Sequence, residues 1–283
     1  MNKMTNVAEM FNRTDELIEW LTQKGISTAS FSRIAQYKEL GAAFFTSESP
    51  SSPDAIELFT QLTKSIYEFI LVLLVKDTFE NENSPGFLER LKSALKGKTF
   101  IDNAKEEGSR NFLFELLVAV FFARKGYKIE FTKIADIIAY RNNTKIYIEC
   151  KKCYSDKKIE KNLKYAHKQL TANISQKDFN TVGLVALDIS HLSDKHIPKC
   201  EFPNQNAAQA AIKSGIRQVM KDISWIIDKL NTRFINSTLA TLVFSDNMFW
   251  LDDISVFLHQ DLQVIAAKEL NDAAFAKLNS YVV

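Results

Sequence analysis

Glycine and proline are scarce here, with 8 and 5 copies among 283 residues. So few breakers exclude a loop-dominated chain and favour long helices. Cysteine is scarcer still. Cys150, Cys153 and Cys200 form an odd, sparse set, which excludes a disulfide scaffold and suits a reducing compartment. Long apolar runs are missing too. The longest near the front, Phe69 to Val75, falls far short of the ~20 residues a membrane span requires. Met1 to Glu9 lacks the cationic-then-apolar pattern of a signal peptide. A cytoplasmic protein with no membrane partner is expected.

Charge of one sign is also missing in bulk, since the formal net charge is only +2. Overall charge therefore announces no nucleic-acid partner, and a local excess is needed for that argument. Residues 151–170 supply one. Seven lysines (151, 152, 157, 158, 161, 164 and 168) face only Asp156 and Glu160, an excess of five positive charges. The remainder of the chain must then sum to −3, so the positive charge is concentrated.

What is present is ordinary for a globular chain: 46% hydrophobic and 25% charged residues, with phenylalanine abundant at 21 copies. A chain of this length buries a full core without disulfides. Periodicity predicts helices over Val7–Lys24, Ser32–Phe45, Ala55–Phe79 and Phe87–Leu95, so the first hundred residues read as all-helical. After Gly108 the pattern changes. Asn111–Lys125 is apolar on nearly every side, which means a buried helix. Tyr127–Phe131 reads as a short strand. Ala135–Tyr140 and Lys145–Lys151 read as a hairpin turned by Asn142 and Asn143. A basic helix follows over Lys157–Gln176, then a buried strand at Thr181–Ser190 and a long helix at Asn206–Asn231. Ser237–Ser245 reads as another buried strand, with an edge strand at Asn247–Leu258. The expectation is an α/β fold: a mixed β-sheet core flanked by helices over 101–283, preceded by an all-helical region of unknown role over 1–100.

The strand Lys145-Ile-Tyr-Ile-Glu-Cys-Lys151 carries the chemistry. Alternation puts Ile146, Ile148 and Cys150 on one face and Tyr147, Glu149 and Lys151 on the other. Glu149 and Lys151 are then neighbours, about 7 Å apart along the strand. On an ordinary sheet this would be a solvated face with a weak ion pair. Asp136, at the start of the preceding hairpin strand, makes that bland account less attractive. Two carboxylates opposed on one sheet face repel, and a divalent cation relieves the repulsion. Mg²⁺ suits the case because it takes carboxylate oxygens and leaves positions for water and phosphate. Glu115 adds an independent argument, because a lone carboxylate in so apolar a helix is costly unless paired or metal-bound. Its alternatives are a snorkel to a rim or a pairing with Arg110 or Arg124. Such a cation lowers the pKa of a bound water and polarises a phosphoryl oxygen. Lys151 then orients the water or stabilises developing charge. The Cys150 carbonyl is a candidate backbone ligand.

Asp136, twelve residues, then Glu149-Cys-Lys151, preceded by a helix bearing Glu115, resembles the PD-(D/E)xK nuclease superfamily, also called restriction-endonuclease-like. The resemblance covers about Ser109 to Ser190. It implies a restriction-endonuclease-like core and a Mg²⁺-dependent phosphodiesterase, with Mn²⁺ as a substitute. An endonuclease is favoured over an exonuclease, with DNA as the expected substrate, in a restriction, antiphage or repair setting. Asp136, Glu149 and Glu115 would be metal ligands together with Cys150, and Lys151 the catalytic lysine. A homodimer is a further implication, so that both strands are cut. Ala135 stands where the motif has proline. On the basic helix, a Gln or Lys reaches the phosphate in several branches of that superfamily. Lys161, Lys164, His167, Lys168 and Gln169, with Lys152, are therefore the nucleic-acid-binding candidates, against the plainer reading of a solvated lysine face.

Other signals are weaker. Cys150-Lys-Lys-Cys153 has zinc-knuckle spacing but lacks a second pair of ligands. Lys96-Gly-Lys-Thr99 lacks the first glycine of a phosphate loop. His191 and His196 read as loop or surface residues, and Trp225 and Trp250 as core or interface residues. Two rivals to the nuclease stand: a nuclease-fold binding module that has lost catalysis, and an interaction protein in which Glu115 is merely paired.

Overall fold

The computed structural model describes residues 2–6, 12–27, 35, 53–96, 108–174, 180–198, 202–250, 255–267, 276, 278 and 280–281. The chain divides into two compact units. The first takes Met1–Val120, Glu201–Gln205 and Met248–His259, and the second Phe121–Cys200, Asn206–Asn247 and Gln260–Val283.

The first unit holds helices α1 (Thr14–Gln23), α2 (Pro53–Phe79), α3 (Pro85–Ala94) and most of α4 (Gly108–Arg124). Leu17, Trp20 and Leu21 bury one stripe of α1, as its amphipathic spacing dictates. Gly25 closes the helix at φ 69°, where a side chain would be strained. Arg13 fixes α1 to α2 through Asp77 at 2.6 Å, and Lys76 reaches Glu16 at 2.5 Å. The run Phe69–Val75 is buried throughout. The predicted helix at 32–45 lies outside the described residues except for Ala35. One correction is plain: the front of the chain is not all-helical. Strand β1 (Asn2–Asn6) pairs antiparallel with the Ser255–His259 stretch of β7 (Ser255–Ala266). A strand this short, whose pairing partner is some 250 residues away, leaves no local periodic signal.

The second unit is a mixed sheet flanked by helices. Strands β2 (Lys128–Glu130), β3 (Ile137–Arg141) and β4 (Thr144–Lys152) are consecutive and antiparallel. Asn142 and Asn143 turn the hairpin at φ 49° and 63°, as the Asn pair predicts. Strands β5 (Thr181–Asp188) and β6 (Ala240–Trp250) then add in parallel, giving the order β7-β6-β5-β4-β3-β2. Parallel neighbours need crossover connections. These are helix α5 (Asp156–Asn173) between β4 and β5, and α6 (Ser190–Asp194) with α7 (Gln205–Arg233) between β5 and β6. From Gly183 to Asp188 every residue of β5 is buried, the mark of a strand covered on both faces. The edge strand expected at Asn247–Leu258 is corrected: Asn247–Trp250 complete β6, and β7 begins at Ser255. Among the described residues no helix is long and apolar enough to cross a membrane.

Candidate active site at the ends of the central hairpin

The pairing register of β3 and β4 sets Ile137 opposite Ile148. One step further along that register Asp136 comes opposite Glu149. There β3 has ended, and the ladder is continued by a side chain. The Asp136 carboxylate accepts a hydrogen bond from the Cys150 backbone N–H at 2.7 Å. A strand residue's N–H and C=O point to the same strand edge, so the Cys150 carbonyl is directed to Asp136's side of β4.

Lys151 completes the group. Its ammonium donates to Glu149 Oε2 at 3.2 Å and lies 3.5 Å from Asp136 Oδ2. Glu149 is fully buried, while Asp136 and Lys151 are partly open. Glu149 Oε1 is enclosed and has no hydrogen-bond partner among the described residues. Burial first, and the neighbouring Asp136 second, push the Glu149 carboxyl up to about 7 against the pull of Lys151. Burial opposes charge on Lys151, yet the two carboxylates outweigh it and hold the ammonium above its ordinary value. Two acids thus share one cation, and a side-chain hydrogen bond between the Glu149 and Asp136 carboxyls adds to the upward shift.

An orphaned buried carboxylate oxygen is expensive. A hard divalent cation answers that cost, and Mg²⁺ commonly needs no more than one or two carboxylates, with water and phosphate filling the rest. Asp136, Glu149 and the Cys150 carbonyl fit that pattern. A third acid is not gathered, for no group of three or more His, Cys, Asp or Glu able to hold a metal exists among the described residues.

The remaining sequence candidates separate. Glu115 lies in the first unit, where its carboxylate accepts a hydrogen bond from Arg90 at 2.9 Å. Arg110 pairs with Glu68 at 2.7 Å instead. The desolvation argument for Glu115 is therefore answered by a guanidinium. Lys152 is also corrected. It points to the opposite sheet face, where it ion-pairs with buried Asp188. His167 is corrected as well. It is fully buried, stacked on Phe234 at 5.0 Å, with Nδ1 2.9 Å from Thr238 Oγ1. Burial pulls its pKa down to about 4, so it is neutral. Gln169 is half-buried, with Oε1 enclosed and without a hydrogen-bond partner among the described residues. Lys161, Lys164 and Lys168 do line the outer face of α5, and Lys164 pairs with Glu160 at 2.8 Å.

Sequence reasoning missed Tyr165. Its ring lies 5.7 Å from Lys151 Nζ and is 61% exposed. Its spacing four residues from Lys161 was the available signal. It also missed the pair Asp188 and Asp246, where burial and then Asp188 push the Asp246 carboxyl up to about 7. Cys153 is buried, with its Sγ 3.7 Å from Asn162 Nδ2. Cys200 lies outside the described residues.

No protein-family model matches this chain, and neither a curated protein nor a solved structure does.

Proposed function

We propose that this chain is a divalent-metal-dependent endonuclease with a restriction-endonuclease-like core, acting on DNA. The observation that carries the reading is the meeting of Asp136, Glu149 and Lys151, with Glu149 Oε1 buried and unbonded. Asp136, Glu149 and the Cys150 carbonyl are the ligand set for Mg²⁺, with Mn²⁺ as a substitute. When bound, the ion supplies Lewis acidity and a water of lowered pKa. Lys151 keeps its proton beside the acids, orients the attacking water and offsets the negative charge that builds on the phosphoryl oxygens. Cys150 packs its thiol in the core and contributes only main chain. Glu115 is left out of the set because Arg90 already compensates it.

The second reading is a binding module of the same fold without catalysis. Its support is the missing third acid. Supercoiled plasmid and a single-stranded DNA, each incubated with Mg²⁺ or Mn²⁺, separate the two. Nicking that vanishes with EDTA and with Lys151→Ala supports the enzyme. Binding with no cleavage of plasmid or of single-stranded DNA in either metal overturns it in favour of the module.

A further inference from the structure

Two aromatic side chains of the second unit stand out in solvent, each beside a lysine. Tyr165 on α5 is 61% exposed and Trp225 on α7 is 59% exposed. The sequence places Trp225 in a core or an interface, and its exposure excludes the core. A lone exposed aromatic needs no explanation. These two are not alone. Lys151 Nζ stands 5.7 Å from the Tyr165 ring and Lys229 Nζ 5.7 Å from the Trp225 ring. Helical spacing sets further lysines beside both rings, with Asp222 and Asp228 also three residues from Trp225. Lys161 precedes Tyr165 by four residues, and Lys221 and Lys229 flank Trp225 at four residues on each side.

Lys229 of α7 is close enough to α5 to act on Glu160. Glu160 of α5 is held below its ordinary pKa by Lys164 first and by Lys229 of α7 as well. An open hollow of about 640 Å³ runs along α5 between Lys157, Lys161, Lys164, Tyr165 and Lys168.

We infer that the substrate of the proposed nuclease is an unpaired nucleic-acid strand, held by base stacking on Tyr165 and Trp225 between the lysines of α5 and α7. This rests on the nuclease reading and narrows it. Lysines alone serve duplex and strand alike, because both present phosphates. The aromatics decide between them. In a duplex the π-faces of the bases are covered by their neighbours, whereas an unpaired base offers its face to a ring. A base stacked on Tyr165 also sets its phosphate near Lys151, the residue assigned to the reacting phosphoryl group.

The test is binding of the full chain in EDTA, where no cutting intervenes. Fluorescence anisotropy compares a labelled DNA strand, an RNA strand of the same sequence, and a blunt DNA duplex. The strands bind at least tenfold more tightly than the duplex. Tyr165→Ala and Trp225→Ala each weaken strand binding by about 5- to 160-fold, the usual worth of one stacked base, and leave duplex binding unchanged. Tyr165→Phe and Trp225→Phe keep wild-type strand binding, which separates lost stacking from lost folding. Equal affinity for strand and duplex overturns the inference, as do alanine variants that bind the strand like wild type. The two readings fail separately. A plasmid that is nicked by a protein preferring duplex sinks only the stacking claim. Aromatic-dependent strand binding with no cleavage in any metal sinks only the nuclease claim.

Discussion

Asp136 does for the end of β3 what a backbone carbonyl does within it: its Oδ2 takes the Cys150 N–H at 2.7 Å. That bond fixes the carboxyl beside Glu149 before any ligand arrives. Pre-fixing an acid next to another acid is unfavourable unless a cation is shared. In this fold Lys151 meets that cost only in part, since Glu149 Oε1 is left unbonded.

Divalent-cation binding therefore depends on both acids. Mn²⁺ titration followed by calorimetry reports one site per chain. Asp136→Asn and Glu149→Gln each weaken it by at least about tenfold, which corresponds to about 1.4 kcal/mol. Equal Mn²⁺ affinity in wild type and both variants would falsify the assignment.

Without divalent metal, Glu149 makes the fold sensitive to alkali. Its folded pKa of about 7 lies above the ordinary 4.5, so the native state holds a proton that the unfolded chain has released between those values. Stability then declines as pH rises from 4.5 to 7 and stays lower above it. The full penalty is on the order of 3 kcal/mol. Urea unfolding in EDTA at pH 5 and pH 8 measures it. Glu149→Gln abolishes this part of the decline and is the more stable protein at pH 8.

Much of this arrangement was legible in the sequence, and the reasons differ by element. The hairpin was readable because Asn142 and Asn143 tolerate positive φ and the flanking residues alternate. Its register, and with it the meeting of Asp136 and Glu149, followed from the turn length. β5 was readable because burial on both faces needs a continuous apolar run. What was not legible depends on contacts distant in sequence. Nothing near Glu115 names Arg90 as its partner, and nothing near Lys152 names Asp188. His167 looked like one more polar residue on a basic helix. Its neighbours Leu163, Ala166 and Leu170, however, put it on the buried stripe. A helical wheel drawn through those three residues would have found it.

His167 makes the fold acid-labile in its own window. Its folded pKa of about 4 lies below the ordinary 6.5, so the unfolded chain takes up a proton between pH 6.5 and 4 that the native state refuses. Stability attributable to this residue is intact above pH 6.5 and is lost as pH falls toward 4, by about 3 kcal/mol. His167→Asn removes the proton site and keeps a polar atom for Thr238. Its stability curve is correspondingly flatter from pH 6.5 to 4. A variant that loses stability on acidification as steeply as wild type contradicts the assignment.

Gly183 holds β5 close to the segment that leads into β6. A Cβ built there would stand 2.2 Å from the Ser237 carbonyl oxygen and 2.9 Å from Ile174 Cδ1. The first obstacle is backbone, which cannot swing aside as a side chain can. Gly183 also accepts the Leu239 N–H at 2.8 Å, so retreat of the strand breaks a bond in the ladder. Gly183→Ala therefore costs about 3 kcal/mol, at the upper end of overpacking effects. Thermal melts check it, and a loss below about 1 kcal/mol would show that the strand yields more freely than described.

Arg90 and Glu115 supply the last prediction, because they set a structural role against a catalytic one. Both side chains are about nine-tenths buried, at 11% and 10% exposure, and they bond at 2.9 Å. Removing one partner breaks a buried ion pair, which costs up to about 3–5 kcal/mol. Glu115→Gln therefore lowers the melting temperature. Replacing both, as Arg90→Leu with Glu115→Leu, removes the charge problem and recovers most of that loss. The decisive measurement is nicking by the stabilised double variant in Mg²⁺. If Glu115 acts only as the partner of Arg90, that variant nicks plasmid at the wild-type rate. If Glu115 holds the metal, the variant is folded and inactive, and the ligand set has to be widened to include it.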